Sequence, residues 1–194
     1  MRVALAVLIG LVLAGCAAGS VMVRPQADSL QLGTTTYDQV LQRYGDPRRT
    51  GTQVRNGETL KTVSYAYAVG TPFVDDVPAR ASGCYFLNGV LVGYEYLSSF
   101  REDKTDFDET KVQQIKKGET TRWRVIELFG QPRGMYMYPL ITQKGDLALV
   151  YLFNDNTRTP FVPGSLRVRR KQLIVSIGTD GTVTDVVYTE SSPK

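Results

Sequence analysis

Apolar side chains recur at helical spacing in two parts of the chain. The first part places four of them at i, i+3, i+4 and i+7, on one face of a predicted helix: Tyr37, Val40, Leu41 and Tyr44. The second part has a shorter face of the same kind: Val125, Ile126 and Phe129. Each pattern predicts a short amphipathic helix whose apolar side packs on another element.

The two helical segments belong to a repeated motif. Residues 33–48 read GTTTYDQVLQRYGDPR and residues 118–133 read GETTRWRVIELFGQPR, with seven of the sixteen aligned residues identical. A threonine can cap each helix, Thr35 or Thr36 in the first copy and their counterparts in the second. A glycine followed two residues later by proline ends each helix. Because the agreement falls on a cap, a helix face and a turn, it indicates a repeated architecture.

Strand patterns follow both helices. Residues 63–69 alternate between large and small side chains, the period-2 pattern of a strand. Asn88-Gly89 lies between two apolar runs, which predicts a tight hairpin. In the second copy LALVYLF predicts a strand, and Asp180-Gly181 predicts another hairpin.

These elements predict an α+β fold made of two tandem α-α-β-β-β repeats. The extra helix of each repeat is predicted upstream of the motif, around residues 27–32 and 108–117. The helices are expected to pack on one face of an antiparallel sheet that both repeats share. The first repeat is placed at residues 28–100 and the second at 105–190, with a polar, charged segment between them.

The N-terminal residues have the pattern of a targeting segment. Residues 1–15 contain one arginine and an apolar run shorter than a membrane span, which predicts a signal peptide. The ending Leu-Ala-Gly-Cys resembles the bacterial lipobox, which implies lipidation of Cys16; the alternative is an ordinary cleavage site. In such lipoproteins a residue other than Asp after the cysteine, here Ala17, implies export to the outer membrane. Residues 16–27 are expected to form a tether, with acyl chains anchoring the chain to the membrane.

The composition argues against several classes of chemistry. The chain has no histidine, so the commonest general base and zinc ligand are missing. No phosphate-binding loop, nucleophile elbow or dinucleotide motif is present. Cys84 falls in a predicted strand and is expected to be a buried, inert thiol. The acidic run 103–109 lacks calcium-loop spacing and is interpreted as a solvated linker. A net charge of +4 gives no nucleic-acid footprint. We therefore predict no catalytic residues, no metal site, no cofactor and no nucleic-acid partner.

The doubled motif resembles the SmpA/OmlA (BamE-like) family of outer-membrane lipoproteins. The shared features are a glycine, a threonine cap, a short helix with valine and an aromatic, Gly-x-Pro and following strands, together with the lipobox at Cys16. That family has one unit where this chain has two. Tandem α-α-β-β-β units also resemble the β-lactamase inhibitory protein, which implies one concave sheet.

Tyrosines on predicted strands are the first candidate binding residues. Tyr65 and Tyr67 share one strand face, and Tyr94 and Tyr96 share another. Tyrosine suits protein interfaces because it offers a large contact area at a small entropic cost. The alternative is that these rings cover the sheet beneath the helices.

The sequence RVRRK supplies the second candidate. On a strand Arg167, Arg169 and Lys171 would align on one face and could meet lipid headgroups or an acidic partner. The alternative is a solvated edge strand that is protected against aggregation by its charges.

Together these features predict a non-enzymatic lipoprotein on the periplasmic side of the outer membrane. Its expected partner is an envelope protein, such as a component of β-barrel assembly, so that the chain supports assembly or envelope integrity. One alternative is an inhibitor-type module that caps an enzyme with a concave aromatic sheet face. Another is a structural lipoprotein that touches only lipid or peptidoglycan.

Overall fold

The fold is dominated by one antiparallel sheet. The computed structural model describes residues 16–18, 25, 29–70, 78–158 and 166–191. Within these residues nine strands form a single sheet in the order β1-β3-β4-β5-β6-β7-β8-β9, and β2 also pairs with β3. The strands are β1 (Cys16–Ala18), β2 (Arg49–Arg55), β3 (Glu58–Gly70), β4 (Ala79–Leu87), β5 (Val90–Ser98), β6 (Gly134–Met137), β7 (Leu147–Arg158), β8 (Leu166–Ile177) and β9 (Val183–Ser191).

Two short helices form at the repeated motif. Helix α1 spans Tyr37–Tyr44 and helix α2 spans Arg122–Phe129. Thr36 caps α1 through a reciprocal pair of hydrogen bonds with Gln39, and Thr121 caps α2 by accepting from the backbone of the third helical residue. The glycine that ends each helix has a φ near +75°, a value that favours glycine.

The prediction of an α+β fold with two tandem α-α-β-β-β repeats was wrong. The described part of the predicted helix at 27–32 consists of bends and turns, and the segment 108–117 forms only a 3₁₀ helix, Glu109–Gln114. Both segments are too short to be helical without a buried face, and the 3₁₀ helix buries none of its residues. Each half instead contains a strand that the sequence did not predict, β2 in the first half and β6 in the second. The sequences of both strands lack a clear alternation. The result is a mostly antiparallel β structure with short helices.

Both helices cover the same face of the sheet, which is called here the helix face. Residues that are paired across neighbouring strands lie on the same face of the sheet. One row of such residues crosses the sheet from β3 to β8: Val63, Cys84, Tyr94, Met135, Leu149 and Val175. Val40 of α1 packs in one core cluster with the first members of this row. Val125 of α2 packs in a second cluster with Leu149 and Val175. The opposite face of the sheet, called the open face, carries neither helix.

The predicted signal peptide, residues 1–15, lies outside the described residues, as does most of the predicted tether. The backbone of Cys16–Ala18 pairs with residues 68–70 of β3. In the described part of the chain, no helix has the length and apolar character needed to cross a bilayer.

Candidate functional site

The open face is built from the alternate residues of the same strands. Ser64, Gly83 and Glu95 form one row across β3, β4 and β5. Leu97 comes two residues after Glu95 on β5 and therefore faces the same side, and Leu152 of β7 lines the same depression. Both leucines are partly exposed.

A segment between β6 and β7 covers the middle of the open face. Ile141 packs there with Tyr136 of β6 in a small apolar cluster. Leu140 lies directly over Gly93, where an added Cβ would overlap the side chains of Leu140 and Tyr136 and force them to move. The side chain of Asn56 donates hydrogen bonds of 2.9 and 3.1 Å to the carbonyls of residues 139 and 141. Residues 139–141 of the segment are thus held against the sheet, and the face remains uncovered beside them.

Two depressions on the uncovered part meet at Glu95, Leu97 and Leu152. One, of about 530 Å³, extends over β7, β8 and β9. The other, of about 350 Å³, extends over β2, β3 and β4. β6 begins at Gly134, opposite Glu95, so the strand itself does not extend to the level of the two leucines. We call these two adjoining depressions together the open-face groove.

Glu95 lies at the centre of the groove with two phenol partners. Tyr85 donates a hydrogen bond of 2.8 Å to its Oε1, and Tyr136 donates one to its Oε2. The two rings meet edge to face with centroids 5.8 Å apart. Burial, reinforced by the nearby carboxylate, raises the pKa of both tyrosines above the usual value, so they remain protonated donors. This arrangement fixes a carboxylate but provides no activated nucleophile.

Tyr65 and Tyr96 lie on the helix face, and each is only 1% exposed. Tyr65 donates to the carbonyl of Gly45 at 3.1 Å, and Tyr96 donates to Asp103 Oδ2 at 2.5 Å. Burial is the largest cause that raises the pKa of each phenol to about 12. Their positions match the alternative in which the rings cover the sheet beneath the helices; a binding role stays a prediction.

Tyr67 and Tyr94 also lie on the helix face and are partly buried. The ring of Tyr67 stacks on Phe100 with centroids 6.0 Å apart. Tyr94 packs against the core cluster beneath α1. The four tyrosines thus share one face, although no common exposed surface brings them together, and a role of these two in protein binding stays a prediction.

The predicted basic residues lie on β8, where Arg169 contacts two carboxylates. It pairs with Glu109 at 2.6 Å and with Glu190 at 2.8 Å. Only the backbone of Arg167 is described, as part of β8. The charge of Arg169 is therefore shared with acidic groups of its own chain, and an anionic partner for these residues stays a prediction.

Lys171 is buried, with 2% of its side chain exposed. Its ammonium group pairs with Asp106 and Glu109 at 2.7 Å and donates to the carbonyl of Phe107 at 2.6 Å. Hydrogen bonds from Lys171, with help from Arg169, lower the pKa of Glu109 to about 2. These ion pairs attach the acidic segment between the two halves to the helix face.

Cys84 is buried on the helix face beneath α1. Burial is the main cause that raises the pKa of its thiol to about 12. A thiol with that pKa stays protonated at neutral pH and is a poor nucleophile. The described residues contain no acidic or cysteine cluster that could bind a metal ion.

Sequence reasoning missed the residues that line the groove. Leu97 follows the two tyrosines on the same strand, and the period-2 rule assigns it to the face opposite theirs. Arg170 likewise alternates with Arg169 and Lys171. Alternation along the strands therefore assigns Leu97 and Arg170 to the opposite face of the sheet. It does not show which of the two faces is covered by the helices.

Comparisons with known proteins place this chain at a distance from them. No protein-family model matches the sequence, and no curated protein matches it. One solved structure is similar, a candidate beta-lactamase inhibitor protein from Streptococcus mutans, with 13% sequence identity. The match covers 80% of this chain and 82% of the other, with a TM-score of 0.40. A TM-score below 0.5 does not establish a common fold, so the function is argued from the chain's own residues.

Proposed function

We propose that this chain is a non-enzymatic binding module that captures a segment of another protein in the open-face groove. The observation that carries the proposal is the pair of partly exposed leucines, Leu97 and Leu152, on a sheet face without helices. Apolar side chains at the floor of a concave surface gain free energy when a partner excludes water from them.

The groove chemistry favours binding over catalysis. Tyr85 and Tyr136 have pKa values raised by burial and already donate to Glu95, so neither acts as a base at neutral pH. The absence of histidine from the sequence supports the same proposal.

The cellular setting of the proposal comes from the sequence. Lipidation at Cys16 would anchor the chain on the periplasmic side of the outer membrane, where its partner would be an envelope or exported protein. Capping an exposed loop of an enzyme fits a groove that is open on one side. A role in β-barrel assembly stays a prediction, since no structural feature described above bears on it.

Photo-crosslinking in cells tests the proposal. A photoreactive residue replaces Leu97 or Leu152 in the lipidated protein, and Trp123 serves as the control because it is 72% exposed on α2, away from the groove. We expect both groove positions to capture the same protein and the control position not to capture it. The purified partner is then assayed: loss of enzymatic activity indicates an inhibitor, whereas a barrel-assembly subunit indicates the assembly role. Lipid adducts alone, or equal capture from Trp123, would exclude the groove as a protein-binding site.

A further inference from the structure

Two arginines at opposite ends of the groove have no acidic partner in the described chain. Arg49 of β2 lines one depression and Arg170 of β8 lines the other, and both are exposed. Among the described residues, neither forms an ion pair within 4.0 Å. Arg169, next to Arg170 but on the helix face, contacts two carboxylates. The positive charge at the groove ends is therefore available to another molecule.

Two side-chain acceptors line the part of the groove over β5 and β7. Asn154 lies on β7 opposite Arg170, and its side-chain oxygen is buried without a hydrogen-bond partner among the described residues. A buried acceptor without a partner costs free energy. Glu95 adds a second acceptor, and Leu97 and Leu152 provide the apolar floor. The groove thus has an arginine at each end and an apolar floor with two acceptors between them.

The separation of the arginines sets the length of the occupant. β2 and β8 are six strand spacings apart, and the row of Arg49 meets β8 at Ile174, four residues from Arg170. At about 4.8 Å per spacing and about 3.3 Å per residue, the two arginines are about 32 Å apart. An extended chain covers that distance with about nine residues. A single small ligand would not reach both ends.

We propose that the groove binds an acidic protein segment of about nine residues, with carboxylates near both ends and an apolar side chain at its centre. This proposal rests on the proposed function and specifies the chemistry of the partner. Carboxylates match the fork of donors on arginine, and each would pair with one end of the groove.

A phage-displayed library of random linear dodecapeptides tests the chemistry directly. It is selected at low salt on the detergent-solubilised full chain, and the enriched peptides are measured for affinity. We expect enrichment of Asp or Glu near both ends and of Leu or Phe between them. Affinity should fall about tenfold or more for the double variant Arg49→Glu/Arg170→Glu, and should also fall as salt is added.

The matched control is the double variant Arg101→Glu/Arg122→Glu, which changes the net charge equally at exposed positions away from the groove. Its affinity should stay within about twofold of the parent. Variants Arg49→Gln/Arg170→Gln, which remove charge without reversing it, should give an intermediate loss. Melting temperatures of all variants establish that they are folded.

Three outcomes would overturn the proposal: no peptide enriched above the protein-free surface, enriched peptides without acidic residues, or an equal loss in the control variant. The experiments distinguish a failure of the acidic-segment proposal from a failure of the proposed function. A partner crosslinked through Leu97 and Leu152 that binds the arginine variants unchanged would retain the proposed function and remove the acidic segment.

Discussion

The helix face and the open face are built from alternate residues of the same strands, but they differ in how their polar groups are satisfied. On the helix face the hydroxyl of Tyr96 and the ammonium of Lys171 each contact partners within the chain. On the open face Arg49 and Arg170 have no ion pair among the described residues, and the side-chain oxygen of Asn154 is unpaired there. Residue type alone therefore does not locate a binding surface; groups that the fold leaves unsatisfied are more informative.

The largest expected difference between the faces is in apolar packing on β7. Leu149 is fully buried on the helix face, whereas Leu152 lies partly exposed in the groove. We expect Leu149→Ala to lower the free energy of unfolding by about 3 kcal/mol, because it leaves a cavity in the core. Leu152→Ala should cost less than about 1 kcal/mol. Urea unfolding measures both, and equal losses would mean that the open face belongs to the core.

The next difference concerns two neighbouring cations on β8. Lys171→Met removes the partner of two carboxylates and should cost about 2 kcal/mol, since hydrogen bonds to charged groups are lost. Arg170→Met, one residue earlier on the open face, should change the free energy of unfolding by about 0.5 kcal/mol or less. If Arg170→Met lowered the free energy of unfolding as much as Lys171→Met, Arg170 would have a partner within the chain. It would then not be available to bind another molecule at that end of the groove.

A smaller difference in the free energy of unfolding is expected when single hydroxyl groups are removed from the two kinds of position. Tyr96→Phe deletes a buried donor to Asp103 and should cost about 1 kcal/mol. Tyr138→Phe deletes an exposed hydroxyl, 3.3 Å from its acceptor, and should be close to neutral. Thermal unfolding of the two variants, followed by circular dichroism, compares them with the parent. A neutral Tyr96→Phe would show that its hydroxyl contributes nothing to the helix face.

The acidic segment that joins the halves makes the stability of the helix face depend on pH. Lys171 and Arg169 lower the pKa of Glu109 to about 2. Burial by itself would raise the pKa of Asp103, but hydrogen bonds from Ser98, Tyr96 and Arg80 outweigh it and lower that pKa. Both carboxyl groups therefore contribute stability above their unfolded pKa values, and that stability is lost as pH falls from about 5 toward 2.

Unfolding free energies measured at intervals between pH 6 and pH 3 test whether stability falls on acidification as predicted. Glu109→Gln should flatten the decline, while Glu119→Gln, in an exposed pair with Lys116, should leave it unchanged. Stability that rises on acidification would contradict the assignment.

The parts of the fold that were predicted from the sequence depend on neighbouring residues. Thr36 and Gln39 lie three residues apart and form the cap by themselves. Asn88 and Gly89 both adopt positive φ, at 49° and 82°, as a tight hairpin requires. Local geometry of this kind can be read directly from the sequence.

The parts that were not predicted depend on distant residues. β2 has mostly exposed side chains, and its pairing is determined by β3 rather than by any pattern of its own. Likewise, alternation in β5 separates Tyr96 from Leu97 but cannot show which face the helices cover. The candidate site was missed for that reason, because the conspicuous tyrosines were on the covered side.

The brevity of β6 has a mechanical consequence for the molecule. Only three residue pairs join β5 to β6 and four join β6 to β7, so the sheet is narrow where its two halves meet, beside the groove. A segment bound in the groove from Arg49 to Arg170 would contact both halves of the sheet and bridge this narrow connection. We therefore expect amide hydrogen exchange in β5 and β7 to slow together when the groove is occupied, and the two halves to open independently when it is not.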